Sequence, residues 1–135
     1  MVKLLIGVKG TGKTKTLIEM VNNAQKETKG SVVCIEKGTK LRFDISSATR
    51  LIDTIEYLVS DGPSLYGFVA GILASNHDVT DLFIDSYFKI CSSDMSAFEK
   101  FLLQVDALAM KNNINVLITA SMPAEEATDV MKKFL

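Results

Sequence analysis

The chain is sparing in residues that mark several functional classes. Among 135 residues it has two cysteines, one histidine and two arginines, and its net charge is -1. No apolar run approaches the ~20 residues that a membrane span requires. Without a basic excess there is no broad electrostatic footprint for nucleic acid or anionic lipid. Cys34 and Cys91 both lie inside apolar runs, VVCIE and FKICSS, which suits buried, reduced thiols better than a disulfide framework or a metal site. His77 falls in the polar string SNHDVT and reads as a solvated turn residue rather than a general base or ligand. The opening VKLLIG is too short, and too soon followed by glycine, for a signal peptide, so a cytoplasmic protein is expected. The length fits one domain, 1–135, with a single core.

What is present is an alternation of short aliphatic runs with longer stretches at helical spacing, the pattern of an α/β fold with a mainly parallel sheet flanked by helices. Val2–Ile6, Ser31–Glu36, Asp81–Asp85 and Asn115–Thr119 read as strands one to four. Leu17, Ile18, Val21 and Ala24 mark a helix after strand one. Met95, Phe98, Phe101, Leu102, Val105, Leu108 and Ala109 mark another, with Ser96 and Glu99 at capping-box spacing and Asn112-Asn113 as its stop. Pro123 is expected to open a last helix carrying Ala127, Val130, Met131, Phe134 and Leu135 on one face.

Residues 37–80 are less regular. Leu41, Phe43 and Ile45 alternate as in a strand, Ser46-Ser47 marks a turn and Leu51–Val59 fits either period, which predicts a β-hairpin around residues 40–59 inserted between strands two and three. Asp61-Gly62-Pro63 is a break, after which Ser64 would cap a helix running to Ala74. Gly67 and Gly71 would give that helix a flat face for close packing on the sheet.

The chemistry concentrates in GVKGTGKT, which places Gly7 four residues before Gly12-Lys13-Thr14, after a strand and before a helix. A polyphosphate is wrapped by consecutive backbone N–H groups, which calls for glycine torsions at Gly7, Gly10 and Gly12 and sets the anion on the positive end of a helix dipole. The stretch Gly7, Val8, Lys9, Gly10, Thr11, Gly12, Lys13, Thr14 and Lys15 is therefore the expected nucleotide cradle. Lys13 would reach the β- and γ-phosphates and the Thr14 hydroxyl would help coordinate Mg²⁺. A carboxylate must complete that metal site, and DLFID delivers Asp85 at the end of an apolar strand.

With these motifs the chain resembles the P-loop NTPases throughout, and its loop is similar to those of RecA-like and AAA+ ATPases. The resemblance implies a Walker B role for Asp85 and contact between the γ-phosphate and the tip of strand four, Thr119 and Ser121. It also implies that strand four lies between strands one and three, in the order 2-3-4-1. No [NT]-K-x-D string occurs, which favours ATP over GTP, and neither LSGGQ nor the second lysine of the deviant Walker A loops is in place. Ser86 stands where AAA+ proteins carry a glutamate after the Walker B aspartate, so a minimal RecA-like core is the remaining subclass. In several RecA-like ATPases a glutamate ending strand two activates water, and VVCIEKG offers Glu36, whose alternative reading is an exposed strand-end residue. Such ATPases commonly complete the site with a cation from a neighbouring subunit or partner, for which Arg42 and Arg50 are the arginine candidates. Mg-dependent ATP hydrolysis is the expected activity; a small-molecule kinase and an ATP-holding module without turnover are the alternatives. Against a kinase stand the shortage of arginines for a phosphate clamp and the lack of a cysteine zinc site.

Overall fold

The central strands are apolar on both faces, and the computed structural model, which describes residues 1–135, gives each face a core. The strands are β1 (Val2–Gly7), β2 (Ser31–Glu36), β3 (Arg50–Asp53), β4 (Val79–Ile84) and β5 (Asn115–Ser121). They form one sheet in the order β1-β5-β4-β2-β3, with every adjacent pair parallel. The helices are α1 (Lys13–Glu27), α2 (Gly62–Ser75), α3 (Tyr87–Ile90), α4 (Met95–Asn112) and α5 (Asp129–Lys132), with 3-10 turns at Thr54–Tyr57 and Ala124–Glu126. Parallel strands buried on both faces read as continuous apolar runs, and their alternate residues part company here. Leu82 and Ile84 enter the larger core with α2 and α4, and Phe83 enters the smaller one with Leu17 and Val21 of α1. Cys34 and Cys91 are free and buried, and burial pushes the Cys91 thiol up to about 11 and that of Cys34 still higher. No helix is long and apolar enough to cross a membrane.

The expected strand order 2-3-4-1 differs from the observed one, because a fifth strand, β3, joins the sheet outside β2. The expected hairpin around residues 40–59 does not form. Ile45 N and Asp44 N instead donate to Leu41 O, closing a tight turn in which Leu41 and Ile45 are buried and Phe43 is 85% exposed beneath the Arg42 guanidinium. Both a strand and a helical turn put residues i and i+4 on one side, so Leu41 and Ile45 could not distinguish them; the outward Phe43 does. From this turn the chain enters β3 parallel to β2, and segment 37–49 supplies the long crossover that a parallel neighbour needs.

Three smaller expectations also change. Gly67 and Gly71 face open space rather than the sheet. The caps lie earlier than Ser64 and Ser96: Asp61 caps α2 in a capping box with Ser64, and Asp94 caps α4 by accepting from Ala97 N at 3.2 Å. The helix expected from Pro123 is divided, because Ala127 is extended and Thr128 caps a new helix, α5, through Met131 N; Met131 and Phe134 still reach the core, while Leu135 is exposed.

Candidate functional site

β1 and β5 end together, with Met122 N donating to Gly7 O, so the chain leaves the sheet at Gly7 and re-enters regular structure at α1. The loop between them is held by its own side chains. Thr11 Oγ1 donates to Val8 O at 2.8 Å and Lys13 Nζ donates to the same oxygen at 2.9 Å. A Cβ on Gly7 would stand 2.7 Å from Thr11 Oγ1 and would push that hydroxyl off Val8 O. Gly10 and Gly12 have φ of 89° and 83°, a conformation that residues with a Cβ rarely adopt, and nothing lies within 4 Å of a Cβ built on either. No side chain caps α1 and its first turn holds no acidic residue, which leaves the positive end of its dipole uncompensated.

Behind the loop lies a small buried polar network. Asp85, at the C-terminal end of β4, takes Thr14 Oγ1 at 3.3 Å and Thr119 Oγ1 at 3.1 Å on Oδ1, and Ser86 Oγ at 3.3 Å on Oδ2. Ser86 N donates to Thr119 Oγ1 at 2.7 Å, which ties the ends of β4 and β5 together. Ser86 is left-handed, with φ of 57°, a conformation uncommon for serine, and the turn it makes starts α3.

Loop and network wall a cleft of about 520 Å³. Lys9, Gly10, Gly12, Lys13, Thr14 and Lys15 of the loop and α1 line it together with Ser86, Phe88, Lys89 and Ser121, so its lining holds four lysines and no acidic residue. Burial lowers the affinity of Lys13 for its proton, Asp85 raises it and the nearby Lys89 lowers it again.

Of the residues singled out in the sequence, the structure brings Lys9, Gly10, Gly12, Lys13, Thr14, Lys15 and Ser121 to the cleft, with Asp85 directly behind Thr14. Gly7, Val8 and Thr11 shape the loop from beneath it. Thr119 is buried and committed to Asp85 and Ser86. Glu36 is not an exposed strand-end residue: it is 3% exposed, its Oε2 accepts Leu41 N at 3.1 Å, and it does not line the cleft. Arg42 and Arg50 lie by the turn and on β3, also outside the cleft, and His77 is exposed in a turn. Sequence reasoning missed Lys89 and Phe88, because the four-residue α3 is too short to leave a periodic signal. The strained Ser86 turn that creates α3 has no glycine to announce it. Neither a scan against family models nor a search of curated proteins returned a match to this chain.

Proposed function

We propose that this chain is a P-loop NTPase of the RecA-like type that binds Mg·ATP in the lysine-lined cleft and hydrolyses the β–γ phosphate bond. The observation that carries this reading is the glycine loop between β1 and α1, with Gly10 and Gly12 left-handed, Lys13 folded onto the loop and the Thr14 hydroxyl 3.3 Å from Asp85. The cleft lies at the C-terminal ends of β1, β4 and β5, where open parallel sheets place their ligands. An uncapped helix start is a ready anion site, and the four lysines of the lining would complement the charge of a polyphosphate.

The residues fit a magnesium ion. Hydroxyl and carboxylate oxygens are its preferred donors, and it commonly takes one or two protein oxygens while keeping water and phosphate in its remaining positions. Thr14 and Asp85 would hold it, and when bound it would neutralise charge on the β- and γ-phosphate oxygens. Lys13 would exchange the Val8 carbonyl for a phosphate oxygen, and the first-turn N–H groups of α1 would receive the phosphates. Ser121 lines the cleft and would hydrogen-bond the terminal phosphate, and the buried Thr119 keeps Asp85 oriented. The preference for ATP over GTP rests on the sequence, which lacks a guanine-reading motif.

Calorimetry with Lys13→Ala tests the reading. The variant is expected to fold and to bind Mg·ATP at least about tenfold more weakly, the loss of a charge-assisted contact. A folded variant that binds as tightly as the parent would overturn the assignment. Glu36 gives a specific ground for a second reading, a module that holds ATP without turnover: the one candidate water-activating carboxylate is occupied by a backbone N–H away from the cleft. Phosphate release no faster than spontaneous hydrolysis would favour that module.

A further inference from the structure

Lys89 enters the cleft from an unusual support. Ser86 adopts its left-handed conformation with its N–H fixed on Thr119, and Ser86 O accepts Lys89 N at 2.9 Å. On either side of Lys89, Tyr87 and Ile90 are buried, the Tyr87 ring lying 4.4 Å from that of Phe98 and 5.2 Å from that of Phe101. The backbone of Lys89 is thus pinned by a hydrogen-bonded turn and two core anchors, while its side chain is exposed and lines the cleft. A left-handed serine persists only where its surroundings over-determine it, and such conformations gather at functional sites. No acidic residue lines the cleft to pair with Lys89, and its charge adds a small share to the lowering of Lys13's proton affinity, after burial and against the larger opposing effect of Asp85.

Lys89 and the glycine loop reach the cleft from different parts of the chain. The glycine loop and the start of α1 would supply the donors for the inner phosphates, whereas Lys89 comes from the strand ends, following Asp85 and Ser86 beyond β4 and lining the cleft together with Ser121 of β5. We propose that Lys89 is the cation that reads the terminal phosphate, making the cleft selective for a nucleoside triphosphate over the diphosphate and supplying from within the chain a charge that neither Arg42 nor Arg50 brings to the cleft. The inference rests on the cleft being the Mg·ATP site. Lys89 is exposed, so its removal leaves the fold intact.

Calorimetry with a non-hydrolysable ATP analogue and with ADP, each with Mg²⁺, tests it in the wild type, Lys89→Ala and Lys89→Arg. Lys89→Ala is expected to weaken the triphosphate about tenfold while changing the diphosphate less than about twofold, and Lys89→Arg to recover most of the loss, since a charge-assisted contact is lost in the first and kept in the second. Equal weakening of both nucleotides would reduce Lys89 to a contributor to the general positive field and overturn the proposal, as would unchanged binding of both. In either case tight wild-type binding leaves the reading of the cleft standing. A wild type that binds neither nucleotide overturns both.

Discussion

Glu36 ends β2 with its carboxylate in the interior, accepting backbone N–H groups of the following turn at Leu41 and Lys40. Burial is the main reason that its proton affinity is raised, with Asp85 and Asp53 adding to the effect and the two N–H donors opposing it. A carboxyl whose folded pKa lies above its unfolded value binds more protons in the native state through that window. Stability therefore falls as pH rises from the ordinary glutamate range through the raised value. Glu36→Gln keeps a carbonyl oxygen for the Leu41 N–H and removes the ionisation. Thermal melts should show the variant matching or exceeding the parent at mildly alkaline pH, with a smaller loss of stability between acidic and alkaline buffer. If Glu36 is an anchor for the turn, phosphate release in the same variant stays near that of the parent; a fall of ~10²- to 10⁴-fold would return it to the role of general base. The residue type and strand-end position were legible in VVCIEKG, but its burial was not. Burial comes from the turn at Leu41 folding back over the strand end, a contact that no local pattern encodes.

At the level of the elements, the long helices were legible because their apolar spacing is sustained: Phe98, Phe101, Leu102, Val105 and Ala109 of α4 are all buried, and Asn113 ends it in a left-handed cap. Their starts were misread, since Ser and Asp are both good caps and only the hydrogen bonds select one. Asp94→Ala should cost about 1 kcal/mol and lower the melting temperature by roughly 3–5 °C, with nucleotide affinity unchanged, as α4 does not line the cleft. Asp61 illustrates the pH side of such a cap. Its carboxyl is held below the ordinary range by the Ser64 hydroxyl and N–H, so its support for α2 is present at neutral pH and is lost as pH falls through that depressed value. Segment 37–49 was the least legible, because it is fixed by side chains distant in sequence: Asn22 bonds both Asp44 O and Ser46 N, Thr49 Oγ1 donates to Gln25, and Asp53 receives Gly38 N.

For the molecule as a whole, the ends of β1, β4 and β5 converge on the loop and the Asp85 network, so a ligand in the cleft would bridge parts of the chain that separate on unfolding. If the cleft binds Mg·ATP, nucleotide at a hundredfold excess over Kd should stabilise the fold by about 2.7 kcal/mol, read as a rise in melting temperature. Chelating the metal should shrink that rise, and Lys13→Ala, binding about tenfold more weakly or worse, should cut it to about half or less. A parent whose melting is indifferent to Mg·ATP would speak against the site. The sequence by itself determined the α/β class, the main apolar strands, the strand–loop–helix around Lys13 and the placing of Asp85 at a strand end, because periodicity and glycine positions are local properties of the chain. Only the tertiary structure decided the fifth strand, the enclosure of Glu36 and the arrival of Lys89 in the cleft that Lys13 lines. Each depends on contacts between segments far apart in sequence, above all the Ser86–Thr119 bond that joins two strand ends, and such contacts exist only once the sheet has assembled.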